Sequence, residues 1–219
     1  MSINVEPGMA APQTRTILYL HGFLSSPASS KVSALADGIA AWNAGADKAG
    51  PARANIRFEL AAPDLNVPPP LADAYLRALG ATYDPASLTI VGSSLGGFYA
   101  GRLANMTGAR VVLLNPCLNP WAFVQTETGD RQIYATERRI KVEPRFSADF
   151  EALAAAVPPV PKNLKNTLAV LSTADEVLDW RLAWGALQGA GIIFSAGDDH
   201  RVSRFPRYVP ALLKFAAAH

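Results

Sequence analysis

Three side chains of this sequence could together carry out nucleophilic catalysis: a serine, an aspartate and a histidine, in that order. Gly92-Ser93-Ser94-Leu95-Gly96 fits G-x-S-x-G with Ser94 at its centre, the pattern of a nucleophile elbow. A serine hydroxyl is a poor nucleophile unless it is held out of a sheet beside a base. A sharp strand-to-helix turn achieves this but crowds the backbone, and glycines two residues to either side relieve the crowding. Ser93 competes for the role, but only Ser94 has glycine at both flanking positions. The plainer reading is a crossover with small residues for packing. The apolar residues Leu88, Ile90 and Val91 before the turn, and Gly97 after it, favour the elbow.

The base has three candidates. His219 is the last residue, where chains fray. His21 precedes the serine in a strand-end His-Gly-Phe segment and reads as a residue that shapes its loop. His200 lies in a polar loop after the last predicted strand and is the base expected here. The chain order of such sites is serine, acid, histidine. Asp175, Glu176 and Asp179 lie between, and Asp175 comes first after its strand. A helix N-cap is its plainer role. Asp179 reads as a solvated helix residue, and Asp198 and Asp199 as turn residues. An oxyanion would be met by the backbone N–H groups of Leu95 and Phe23, with Leu24 the next choice to Phe23. The helix starting at Leu95 turns its free N–H groups toward the same point. Phe23, Leu24, Trp121 and Val177 are candidates to line an apolar acyl pocket, and Phe98 reads better as core. Cys117 reads as a small buried hydrophobe.

These residues need strands that end together. Buried strands are predicted at Thr16 to Leu20, Ile56 to Leu60, Leu88 to the elbow, Arg110 to Leu114, Thr167 to Leu171 and Gly191 to Ser195. Helices are predicted at about Lys31 to Trp42, Pro70 to Leu79, Leu95 to Met106, Ala148 to Ala156, Val177 to Leu187 and Phe205 to Ala217. Alternation of this kind argues for an α/β protein with a mostly parallel six-stranded sheet and helices on both faces. Every candidate residue then falls at the carboxyl edge, where ligands bind in such sheets. Cys117 to Lys165 shows no clear strand and is expected to be a lid-like insertion after the fourth strand. Asn43 to Asn55 reads as a loop.

The 219 residues suit one domain, 16–219, after a flexible tail at 1–15. Half the residues are hydrophobic and 17% are charged, which excludes a disordered chain. A net charge of +2 gives no case for nucleic acid. No apolar run is long enough for a membrane span, and the first residues lack the marks of a signal peptide. One cysteine excludes an intrachain disulfide. A cytoplasmic location is the default, and no metal or organic cofactor is called for.

Five segments in order resemble the YqiA-like bacterial esterases. They are LYLHGFLSSPASSK (Leu18 to Lys31), VGSSLGGFYA (Val91 to Ala100), LNPCLNP (Leu114 to Pro120), TADEVLDWR (Thr173 to Arg181) and GDDHRV (Gly197 to Val202). The resemblance covers the chain after its tail. It implies an α/β-hydrolase fold, a triad falling on Ser94, Asp175 and His200, and hydrolysis of esters or thioesters, with short-chain acyl esters and acyl-CoA as substrates. Asn43 to Asn55 stands as an insertion against the family pattern, and the charged middle of Cys117 to Lys165 departs from it. The run Arg131 to Arg145 reads first as the solvated face of a lid helix, and second as a dock for an anionic substrate tail. Acyl transfer, haloperoxidase-like chemistry and carbon–carbon bond hydrolysis are alternatives on the same fold. A non-enzymatic binding module is the remaining one.

Overall fold

Alternate residues of a strand face opposite sides of its sheet. In TILYL and LTIV nearly every position is apolar, so both faces need a cover. The computed structural model describes residues 12–46 and 56–218. The expectations for residues 1–11, for 47–55 and for His219 lie outside the described residues.

The elements run β1 (Gln13–Leu20), α1 (Ser30–Ala46), β2 (Ile56–Ala61), α2 (Pro69–Gly80), β3 (Leu88–Ser93), α3 (Leu95–Thr107) and β4 (Arg110–Leu114). They continue with α4 (Trp121–Val124), β5 (Gly129–Gln132), β6 (Arg139–Val142), α5 (Phe146–Ala156), β7 (Thr167–Ser172), α6 (Trp180–Ala186), β8 (Gly191–Ser195) and α7 (Val209–Ala217). Six strands form one sheet in the order β2-β1-β3-β4-β7-β8, and every pairing in it is parallel.

Leu18, Leu20, Leu88, Ile90 and Leu113 pack on one face beneath α2, α3 and α5, with Leu76, Phe98, Leu103 and Phe150. Ile17, Tyr19, Val91, Val112 and Val170 pack on the other beneath α1 and α7, with Leu35, Ile39, Val209 and Leu213. The Phe98 ring is fully buried, as its core reading requires.

The chain leaves β1 toward β2 on one side and returns to β3 on the other. That reversal opens a crevice at the carboxyl ends of β1 and β3. The register aligns those ends, with Leu20 beside Gly92 and Ser93 beside Leu114.

Three differences from the sequence expectation stand out. First, β1 begins at Gln13 and so takes in the end of the predicted tail. Arg15 is buried there, and its guanidinium donates to the carbonyls of Ala216 and Ala218 at the end of α7. Second, α1 continues to Ala46, past the predicted end. Third, 117–165 contains a hairpin, β5 paired antiparallel with β6, in place of the expected lid helix.

Candidate active site

Ser94 sits between β3 and α3 with φ of 52° and ψ of −119°. A non-glycine residue in the positive-φ region is strained, and here the strain lifts the side chain off the sheet. The flanking glycines are required by close approach. A Cβ on Gly96 would lie 2.0 Å from the Leu20 carbonyl oxygen, and one on Gly92 would lie 2.3 Å from that of Gly96. The segment after β4 braces the turn. The Ser94 N–H donates to the Leu114 carbonyl (2.9 Å), and the Ser94 carbonyl accepts from the amides of Gly97 (2.8 Å) and Cys117 (3.0 Å).

His200 Nε2 lies 2.9 Å from Ser94 Oγ. His200 Nδ1 lies 2.9 and 3.0 Å from the two carboxylate oxygens of Asp175. The three side chains, 106 and 25 residues apart in sequence, therefore form one continuous series. The Asp175 side chain is 1% exposed and that of His200 15%, so the carboxylate is shielded while the imidazole edge is open. Burial by itself would raise the Asp175 pKa. Hydrogen bonds from His200 and from the amides of Leu178 and Val177 outweigh it and hold the carboxyl below its ordinary range. An ionised carboxylate at this place orients the imidazole and stabilises its protonated form. The hydroxyl, base and carboxylate can thus pass a proton from Oγ to Nε2.

Gly22 abuts the serine: a Cβ there would be 3.3 Å from Ser94 Cβ and 3.9 Å from Oγ. The Phe23 amide follows it, and the Leu95 amide follows Ser94. Neither is bound to a backbone carbonyl among the described residues. His21 holds this loop. Its Nδ1 lies 2.9 Å from the Gly22 carbonyl, and its Nε2 accepts from the Leu65 amide (2.9 Å). That pattern needs the neutral ring with the proton on Nδ1. Burial pushes the His21 pKa down, against the raising effect of Gly22 and Asp64.

A cavity of about 900 Å³ opens at Ser94 and His200. Phe23, Phe123, Val177 and Leu178 supply apolar walls, and Tyr134 and Ala135 at the tip of the β5–β6 hairpin form a rim. Leu24 lies instead on a separate small cavity with Leu65 and Leu95. Trp121 packs against the core, and Phe123, two residues on, faces the cavity. Cys117 borders the cavity but is 2% exposed, and burial pushes its thiol up to about 12.

Other residues around the site take roles that the sequence reading did not give them. The Tyr134 amide donates to the Leu24 carbonyl (2.8 Å), and Arg138 pairs with Asp64, so the hairpin tip is docked on the loops around Gly22 and Asp64. Glu176 accepts from the His200 amide at 2.9 Å. Asn115, at the end of β4, hydrogen-bonds to both β7 and the His200 loop. Its sequence signals are its place at a strand end before Pro116 and its membership of the LNPCLNP segment. Among the described residues no helix is long and apolar enough to cross a membrane.

Comparison with known proteins adds a family and a fold. The model of the Uncharacterised protein family (UPF0227) matches residues 16–217. A UPF0227 protein of Shewanella sp. (strain ANA-3) is 30% identical over 134 residues, which are 61% of this chain and 65% of the relative. The match thus spans just under two thirds of the relative's length. Among solved structures, an esterase domain of a Rhodothermus marinus protein superposes with a TM-score of 0.60 at 18% identity, covering 96% of this chain and 89% of that one. Mouse alpha/beta hydrolase domain-containing protein 10 superposes with a TM-score of 0.61 at 13% identity, covering 94% and 90%. The fold is that of the α/β-hydrolases.

Proposed function

We propose that this chain, which belongs to the UPF0227 family, is a serine hydrolase that cleaves carboxylic esters or thioesters through an acyl-enzyme. The observation that carries the reading is the unbroken Ser94–His200–Asp175 series, with Ser94 raised on a strained elbow. The fold shared with the Rhodothermus marinus esterase domain supports it, as does the resemblance to YqiA-like esterases.

In this reading Ser94 Oγ attacks the acyl carbon while its proton passes to His200 Nε2. The negative charge on the carbonyl oxygen is met by the Phe23 and Leu95 amides, an arrangement worth most in a site that excludes water. Collapse of the intermediate breaks the bond to the leaving oxygen or sulfur, which takes the proton from Nε2. A water molecule then gives a proton to Nε2 and attacks the acyl carbon. Breakage of the carbon–Oγ bond releases the acid, and the serine regains its proton. Asp175 stays ionised throughout. The acyl chain lies along Phe23, Phe123, Val177 and Leu178.

The test is labelling with a fluorophosphonate and mass mapping of the adduct, alongside hydrolysis of p-nitrophenyl butyrate. The expected adduct is on Ser94. Ser94→Ala removes it, and both Ser94→Ala and His200→Ala cut turnover by about 10,000-fold or more. An adduct elsewhere, or near-normal turnover by Ser94→Ala, overturns the reading. Adding an alcohol or thiol acceptor separates hydrolysis from acyl transfer.

A further inference from the structure

Asn115 is 97% removed from solvent and has no part in the chemistry above, yet its side chain makes four hydrogen-bond contacts. Its Oδ1 accepts from the Ser172 amide at 2.7 Å. Its Nδ2 lies 3.0 Å from Ser172 Oγ, 3.1 Å from the Asp199 carbonyl and 3.0 Å from the His200 carbonyl. The last two contacts fall on the backbone of the candidate base and of the residue before it. The residue takes a φ of 41° to reach them, a conformation asparagine tolerates better than most side chains.

On the other side, the same short segment holds the candidate nucleophile. Leu114 accepts from the Ser94 amide, and Cys117 donates to the Ser94 carbonyl. Pro116 fills the space beside Gly97, where a Cβ would come within 2.6 Å of it. Residues 114–117 therefore form one bracket between the elbow and the histidine loop. The other backbone tie of His200 is to Glu176, on the Asp175 side.

We infer that Asn115 is a positioning residue: its carboxamide clamps the Asp199 and His200 carbonyls and so sets the 2.9 Å separation of His200 Nε2 from Ser94 Oγ. The inference rests on the proposed serine chemistry. No other side chain type meets the demand. An acceptor is needed toward Ser172 and donors toward two carbonyls, from one short planar group. Aspartate matches the shape but turns a lone-pair-bearing oxygen on the two carbonyls.

Two variants and two readouts test it. Asn115→Gly removes the group at a positive φ that glycine accepts without strain. Asn115→Asp keeps the shape and the acceptor for Ser172, and it stands in should the glycine variant not fold. The first readout is hydrogen exchange of the peptide spanning Asp198 to Ser203, which needs no activity. Both variants should exchange faster there, with β3 and β4 unchanged. The second is hydrolysis of p-nitrophenyl butyrate, in which kcat should fall about 100-fold, the cost of roughly 1 Å of misplacement, with KM held within about twofold. Unchanged exchange in the loop overturns the clamp. Faster exchange with wild-type kcat, or a loss carried in KM, overturns the positioning role. If wild-type Ser94 does not react with a fluorophosphonate, the hydrolase reading fails and the positioning role fails with it, while exchange still reports whether the clamp exists.

Discussion

At the scale of residues, the three candidate side chains were reachable from sequence because each carries a local signature. Glycines flank Ser94, Asp175 opens a strand-end loop, and His200 is the one histidine of the last such loop. The structure brings them within 3.0 Å of one another in series. The role of Asn115 was not reachable, although the residue stands in the LNPCLNP segment, because three of its four partners are backbone groups, two carbonyls and an amide, which leave no trace in a sequence. Glycine roles separate by what a methyl group would meet. Gly96→Ala drives a Cβ to 2.0 Å from the Leu20 carbonyl oxygen and 2.8 Å from that of His21, both backbone atoms. It should cost about 3 kcal/mol and is read by urea unfolding. A Cβ at Gly22 meets nothing closer than 3.3 Å. Gly22→Ala should therefore lower the midpoint less than Gly96→Ala does, yet react more slowly with a fluorophosphonate, because the methyl sits beside Ser94 Oγ.

At the scale of elements, apolar periodicity found all six sheet strands and most of the helices between them, but missed the β5–β6 hairpin and the start of the helix after β7. β5 is Gly-Asp-Arg-Gln, with no apolar residue. It is a strand only because its backbone pairs with β6, and no side-chain pattern announces that. The helix predicted from Val177 begins at Trp180. The Asp175 carboxylate takes the amides of Val177 and Leu178, and Asp179 becomes the N-cap by accepting from Arg181. The aspartate expected as a plain N-cap or a triad acid thus fixes local backbone and faces His200 at once. A further junction was hidden. Arg102 in α3 is 2% exposed and donates to Asp73 in α2, at 2.8 and 3.2 Å, and to the carbonyls of Leu153 and Val157 around the end of α5. It ties the helix that follows Ser94 to both neighbours. Asp73→Ala strands a buried guanidinium and should destabilise by about 3 kcal/mol, seen as a lower urea midpoint. A midpoint equal to wild type would mean the carbonyls alone satisfy Arg102.

At the scale of the whole molecule, the buried titratable groups predict a stability dome with two different walls. On the acid side, the native state lowers the pKa of His21, chiefly by burial, and those of Asp64 and Asp175, whose hydrogen bonds outweigh burial. A group depressed in the native state binds more protons once unfolded, so stability rises with pH through its range. The contribution of His21 is complete above its ordinary 6.5 and is lost as pH falls below that value. Those of the carboxylates are lost below 3.8. On the alkaline side, burial raises the pKa of Cys117 from 9.0 to about 12 and pushes the phenols of Tyr19 and Tyr99 above their ordinary 10.0. There the unfolded chain loses protons first, and stability falls as pH rises past about 9. Lys31, depressed by burial, offsets part of that fall. The urea midpoint should therefore be flat from about pH 7 to 8.5 and drop on both sides. His21→Gln isolates the first acid step, because the carboxamide can accept from the Leu65 amide without titrating. Between pH 6.5 and about 4.5 its stability should be flatter than wild type, which loses up to about 1.4 kcal/mol per pH unit for one proton. Parallel curves would assign the acid wall to the carboxylates and leave His21 protonation with no part in holding the loop beside Ser94.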